Sequence, residues 1–111
     1  MSKKIPYGRH ELDDNDIQAV VDILRKGNIT QGQTVDDFGQ ALADYAGAKY
    51  GVAVSSGSAA LHLSLAALGI GPGDEVIVPS HTATATVAAV MMARAKPVFV
   101  DIESGFFTLD P

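Results

Sequence analysis

The fold is decided by one stretch of the chain, residues 50–102, which reads YGVAVSSGSAALHLSLAALGIGPGDEVIVPSHTATATVAAVMMARAKPVFVDI. Short apolar runs of strand length alternate here with alanine-rich runs of helix length, and glycine or proline separates several of them. The expected order is strand, helix, strand, helix, strand, over residues 50–55, 58–68, 75–79, 82–93 and 97–102. Because strands that alternate with helices usually pair in parallel, the sequence predicts an α/β fold with a mainly parallel sheet.

Two amphipathic helices are expected before this stretch. The run Asp13-Asp14-Asn15-Asp16 places capping and acidic groups at a helix start, and apolar residues then recur at helical spacing until Gly27 closes the helix. A second helix is expected with Thr34 as its N-cap and Gly47 just past its end.

The helices of the α/β stretch are apolar on almost every side. Between Ala83 and Ala93 the strongly polar side chains are the hydroxyls of Thr84 and Thr86, and such a helix needs cover on nearly all sides. We therefore expect an exposed apolar patch unless more polypeptide or a partner covers it, the alternative being two alanine-rich helices packed tightly on one small sheet. The expected organisation is one incomplete domain, with an N-terminal helical segment over residues 1–47 and the start of an α/β domain over residues 48–111.

Composition and charge exclude several classes of function. The net charge is −5, from 13 acidic and 8 basic side chains, which disfavours binding to nucleic acid. The longest apolar run, residues 87–93, is far shorter than the roughly 18 residues that span a membrane, and no secretory signal opens the chain. We therefore expect a cytoplasmic protein with no membrane partner. The absence of cysteine excludes disulfides and thiolate metal sites, and the three histidines form no metal-ligand cluster.

The segment that carries chemistry is Ser55-Ser56-Gly57-Ser58, at an expected strand end and helix start. The first turn of a helix has unpaired N–H groups and a partial positive charge, so it can hold an anion without a basic side chain. Gly57 allows a ligand to approach the backbone closely, and the Ser58 hydroxyl can add a hydrogen bond. Plain helix capping by serine is the alternative. The glycine spacing of a P-loop or of a dinucleotide-binding turn is absent.

Four strings, the first of which contains this segment, occur in one order at close spacing, namely SSGSAALHL at 55–63, GPGDEVI at 71–77, PSHT at 79–82 and KPVFVD at 96–101. With Ile5-Pro6-Tyr7 and Thr30-Gln31-Gly32, they resemble the DegT/DnrJ/EryC1/StrS family of sugar aminotransferases, which depend on pyridoxal phosphate (PLP). The resemblance covers essentially the whole chain. It implies the N-terminal portion of the large domain of a fold type I PLP-dependent transferase.

The same resemblance implies an activity and partners. Members of the family move an amino group from glutamate or glutamine to a keto sugar nucleotide, for antibiotic, lipopolysaccharide or other glycan sugars, and they act as homodimers. PLP is therefore the expected cofactor. A keto sugar nucleotide, an amino-acid donor and a second copy of the protein are the expected partners.

The resemblance also implies roles for individual residues. In the family, the positions that match Gly57 and Ser58 bind the PLP phosphate, and Ser56 lies beside them. An aromatic ring usually stacks on the pyridine at the position that is Ala83 here, so either His81 takes over part of the stacking or the cofactor is covered differently. His81 and Ala83 are thus expected to face the cofactor. Thr30 and Gln31 are expected to contact substrate.

Transamination needs two more groups, a lysine that forms a Schiff base and a carboxylate that keeps the pyridinium protonated. In the family both lie beyond the position that matches Pro111. None of the five lysines here stands in the family's lysine motif, and Lys49 and Lys96 are expected to be surface charges at the opposite edge of the sheet. We therefore expect no catalytic residue within these 111 residues and no transamination by the chain alone.

Two other hypotheses stay open at this point. One is a truncated, non-catalytic module that binds phosphate or pairs with a longer subunit. The other is part of a PLP-dependent sugar dehydratase, since relatives of that kind carry a histidine in place of the lysine.

Overall fold

The computed structural model describes residues 6–26 and 28–111, so the expectations for Gly27 and for residues 1–5 fall outside the described residues. Its elements, in chain order, are α1 (Asp14–Lys26), α2 (Gln33–Ala46), α3 (Gly57–Ala67), β1 (Glu75–Pro79), α4 (Thr84–Met92) and β2 (Lys96–Val100). The chain divides into two compact units, Met1–Ala53 and Val54–Pro111.

Helix α1 begins at the acidic run, as the sequence predicts. The Asp13 carboxylate accepts hydrogen bonds from the amides of Asn15 at 2.8 Å and Asp16 at 3.0 Å. The Asp16 carboxylate in turn accepts from the Asp13 amide at 3.0 Å. These reciprocal bonds satisfy amides that a helix start leaves unpaired. The bonds that the Asp13 carboxylate accepts, chiefly the one from the Asp16 amide, lower the pKa of Asp13.

Helix α2 has the expected end and a different start. Gly47 adopts the left-handed conformation with φ 65°, and its amide bonds back to the carbonyls of Ala43 and Asp44. The expected N-cap at Thr34 is wrong, because the helix already begins at Gln33 and Gly32 is the N-cap. Gly32 has φ 126°, a conformation that favours glycine, and no side chain caps the helix there.

The expected strand over residues 50–55 is wrong. Within the described ranges, the strands are β1 and β2, which pair with each other, and residues 50–55 form no strand. Its backbone packs at Gly51 against Gly39 in the middle of α2 instead. A Cβ added to Gly39 would lie 2.8 Å from the Gly51 carbonyl oxygen. A short apolar run can predict extended backbone, but pairing depends on a neighbour that it cannot specify.

The second unit contains the expected parallel pair. Strands β1 and β2 run in parallel, in a register from Glu75↔Lys96 to Pro79↔Val100. The core consists of Val78, Val90 and Ala95, with Leu65, Ile70, Val76 and Val87 packed against it. Helices α3 and α4 start and end within two residues of the expected positions, and β2 begins one residue early and ends two residues early. The α/β fold with a parallel sheet is thus confirmed.

Apolar surface is exposed on both sides of this small core. No residue of α3 is buried, and Leu68 just beyond its end is 77% exposed. Ile77, on the sheet face away from Val78, is 62% exposed, and Phe99, which pairs with Val78 in the neighbouring strand, is 57% exposed. Parallel strands are normally covered on both faces, so the exposed patch expected from the sequence is present. No helix in residues 6–26 or 28–111 combines the length and apolar character needed to cross a membrane.

Candidate functional site

The N-terminus of α3 is an open turn with unused hydrogen-bond donors. Ser56 is the N-cap in an extended conformation, and its Oγ accepts a hydrogen bond from the Ala59 amide at 3.1 Å. Its carbonyl accepts from the Ala60 amide at 3.0 Å. The amides of Gly57 and Ser58 precede these bonds and find no partner among the described residues. The turn therefore offers two free amides and two serine hydroxyls to an anion.

The space in front of these donors is empty of protein atoms. A Cβ added to Gly57 would meet no heavy atom within 4 Å, and Ser55, Ser56 and Ser58 are all exposed. A tetrahedral anion needs both the donors and this free volume. The arrangement at α3 therefore fits the phosphate group of PLP, through backbone amides and without a basic side chain.

The carboxyl ends of β1 and β2 are tied together beside the loop that leads into α4. The Ser80 amide donates to the Val100 carbonyl at 2.8 Å, and the Ser80 hydroxyl donates to Asp101 Oδ1 at 3.2 Å. The same oxygen accepts the Ile102 amide at 2.8 Å. Ligands of open parallel sheets bind at this edge, so the bonds hold the loop after Ser80 where a ligand is expected.

His81 and Ala83 differ in what they can offer a ligand. His81 is exposed at the carboxyl edge, and its ring centroid lies 6.0 Å from that of Phe107, with the planes tilted by 46°. Ala83 is the exposed N-cap of α4 and makes no side-chain cap bond. A methyl group cannot stack as an aromatic ring does, whereas the imidazole can.

A turn after β2 places Phe107 beside His81. The Glu103 carboxylate accepts hydrogen bonds from the amides of Gly105 and Phe106 and, at 3.4 Å, from the Thr108 hydroxyl. These bonds, led by the one from the Gly105 amide, lower the pKa of Glu103. Sequence reasoning missed both residues: the bonds of Glu103 are local but follow no motif used above, and the contact of Phe107 with His81 spans 26 residues and leaves no local signal.

Thr30 and Gln31 belong to the first unit and lie in the turn before α2. Both are exposed, and Gln31 has φ 57°, which is unusual for a residue with a side chain. Gln31 lines a cavity of about 300 Å³ together with Lys26 and Asn28. The cavity has amide groups and a cation available to a polar ligand. Contact of Thr30 and Gln31 with substrate stays a prediction.

Lys96 and Lys49 each contact one neighbouring side chain. Lys96 Nζ lies 2.6 Å from Glu75 Oε1, where the two strands begin, so it is at the opposite edge from Ser80 and Asp101, as expected. Lys49 Nζ lies 5.0 Å from the centroid of the Tyr50 ring. In the part of the chain that the structure describes, no group of three His, Asp or Glu side chains is arranged to hold a metal ion.

Comparison with known protein families matches residues 10–111 to the DegT/DnrJ/EryC1/StrS aminotransferase family. The chain is 45% identical over 100 residues, 90% of its length and 26% of the relative's, to the UDP-4-amino-4-deoxy-L-arabinose–oxoglutarate aminotransferase of Shewanella sediminis (strain HAW-EB3).

Two solved structures are similar to the chain over almost its full length. A Streptococcus pneumoniae protein described as a sugar aminotransferase, in its PLP form, matches with a TM-score of 0.90 and 39% identity, over 97% of this chain and 28% of that one. The GDP-4-keto-6-deoxy-D-mannose-3-dehydratase of E. coli, with bound hydrated PLP, matches with a TM-score of 0.91 and 31% identity, over 96% and 29%. The chain thus spans between a quarter and a third of the length of these relatives.

Proposed function

Because this chain belongs to the DegT/DnrJ/EryC1/StrS aminotransferase family, we propose that it is the N-terminal part of the large domain of a PLP-dependent sugar aminotransferase. The enzyme transfers an amino group from glutamate or glutamine to a keto sugar nucleotide and acts as a homodimer. The Shewanella sediminis relative supports this choice, since its name joins an amino sugar nucleotide to oxoglutarate, the keto acid that glutamate becomes when it loses its amino group.

The observation that carries the proposal is the open N-terminus of α3. The Gly57 and Ser58 amides and the Ser58 hydroxyl hold the cofactor's phosphate in the empty space before Gly57. The Ser56 hydroxyl fixes the turn through the Ala59 amide, so the donors are in place before the ligand arrives. His81 contacts the bound cofactor from the loop after Ser80. Bound PLP would supply the electron sink that amino-group transfer requires.

Other parts of the reaction are assigned to residues that are not in this sequence. We assign the lysine and the pyridinium-binding carboxylate to the part of the enzyme that the chain does not span, so the chain alone does not transaminate. Residues 1–47 form the N-terminal helical segment of the large domain and residues 48–111 its first α/β portion. Thr30 and Gln31 contact the sugar substrate.

PLP affinity of the full-length enzyme tests the phosphate site. One hydrogen bond to a charged group contributes about 1.5–3 kcal/mol, so Ser58→Ala should raise the dissociation constant of PLP roughly 10- to 150-fold. Ser64→Ala makes the same change in the same helix, away from the N-terminal turn, and should leave PLP affinity unchanged. Gly57→Val should also weaken PLP binding. It should not lower the stability of the protein, because an added Cβ at Gly57 meets no heavy atom within 4 Å. Equal PLP affinities in the Ser58 and Ser64 variants would refute the phosphate assignment.

A dehydratase is the second candidate, supported by the match to the E. coli dehydratase at a TM-score of 0.91. The two activities use the same phosphate site, so the geometry at α3 does not separate them. The coding sequence downstream of Pro111 distinguishes the two activities. A lysine in the family's Schiff-base position supports the aminotransferase, a histidine there supports the dehydratase, and a stop codon directly after Pro111 would leave a non-catalytic module.

A further inference from the structure

Phe107 is held in a backbone conformation that bulky residues avoid. Its φ is 59°, and the other non-glycine residues with positive φ in the described ranges are Gln31 and Arg94. The left-handed region is sterically unfavourable for a side chain of this size. Such a residue persists only where its surroundings impose the conformation, and such residues cluster at functional sites.

The surroundings that impose it are the hydrogen bonds to Glu103. Its carboxylate binds the Gly105 amide at 2.8 Å and the adjacent Phe106 amide, and its carbonyl accepts the Phe107 amide at 3.2 Å. The Glu103 amide closes the turn by donating to the Thr108 carbonyl at 3.0 Å. The side chain and backbone of Glu103 thus hold the turn over residues 103–108 through hydrogen bonds.

This turn places the Phe107 ring beside His81, at the carboxyl edge of the sheet. The two ring centroids are 6.0 Å apart at a tilt of 46°, within the range of favourable aromatic pairs. Along the chain, His81 directly follows Ser80, which is hydrogen-bonded to both Val100 and Asp101. The imidazole is therefore restrained through its backbone by the strand ends and through its ring by Phe107.

We propose that Phe107 is a positioning residue, held by Glu103, that fixes the His81 imidazole at the carboxyl edge of the sheet for contact with the bound cofactor. The inference rests on the proposed PLP site and adds a residue to it. A ring that is already ordered loses less rotamer freedom when the ligand binds. The contact of Phe107 with His81, which we call the brace, therefore increases affinity although Phe107 does not itself touch the ligand.

A double-mutant cycle on PLP affinity in the full-length enzyme tests the brace. Phe107→Leu should raise the PLP dissociation constant about two- to tenfold, the range expected for one aromatic pair. In the His81→Ala background the same change should have no further effect, because the group that it positions is gone. Phe106→Leu is the matched control, since Phe106 is an exposed neighbour in the same turn, and it should leave PLP affinity unchanged.

A second readout does not depend on the cofactor. With ¹³C-labelled histidine, the His81 imidazole signals, identified by their loss in His81→Ala, should move in Phe107→Leu and stay in place in Phe106→Leu. Additive losses of PLP affinity in the double variant, or an unmoved His81 signal, would overturn the brace. If Ser58→Ala still weakens PLP binding while both His81→Ala and Phe107→Leu do not, the brace is wrong and the phosphate site stands. If Ser58→Ala also has no effect, the PLP site itself is wrong.

Discussion

Replacing Gly51 by alanine tests the close packing between α2 and the segment that follows it. A Cβ at Gly51 would overlap the carbonyl oxygen of Gly39 and approach the Ala43 methyl to 3.3 Å. Gly39 and Ala43 are the buried residues of α2, and a backbone carbonyl cannot rotate out of the way. Overpacking typically costs about 1–3 kcal/mol, and a backbone obstacle places this substitution near the upper value, about 3 kcal/mol.

Urea unfolding of the full-length protein, followed by circular dichroism, measures this loss. Gly8→Ala is the matched control, because a Cβ there meets no heavy atom within 4 Å, and it should change the free energy of unfolding by no more than about 0.5 kcal/mol. Gly51→Ala should therefore unfold at a clearly lower urea concentration than Gly8→Ala. Similar unfolding midpoints for the two variants would refute the close contact between Gly51 and Gly39.

Three further substitutions have expected outcomes. Arg94 follows α4 with φ 60°, so Arg94→Gly should raise the free energy of unfolding by about 0.5–1 kcal/mol, and a lower thermal midpoint would contradict this. Glu103 has a lowered pKa, so its hydrogen bonds stabilise the protein above the ordinary pKa of a glutamate and are lost as the pH falls through the lower folded-state value. Stability curves of wild type and Glu103→Gln should thus converge in acid, and parallel curves would count against this role. Lys96→Met breaks an exposed ion pair, which solvent screens, so it should leave both the thermal midpoint and PLP affinity nearly unchanged, as calorimetry and titration would check.

Local signals predicted most of the elements. The acidic run before α1, Gly47 after α2 and the alternation of apolar runs after residue 57 each act over a few residues, and the structure has helices or strands where they indicate. Local signals do not give the start of α2 correctly. Thr34 is a better N-cap by residue type, but with Gly32 as the N-cap the helix starts two residues earlier than a Thr34 cap allows.

Features that depend on distant residues could not be predicted. Residues 50–55 have the composition of a strand, yet pairing needs a neighbour, and Gly51 meets Gly39 instead. The contact between His81 and Phe107 joins two loops that are 26 residues apart in the sequence, and no local pattern links the two rings. The α3 turn was foreseeable because both of its parts, the capping serine and the free amides, lie within four consecutive residues.

The anion site at α3 is made largely of backbone, which affects how such a protein can diverge. Every residue except proline carries an amide, so a change of side chain at position 57 or 58 keeps the amide donors and alters only the bulk or the hydroxyl beside them. Such a turn can keep its hydrogen-bond donors for an anion while the sequence around it changes. The neighbouring loops can then diverge without loss of these donors.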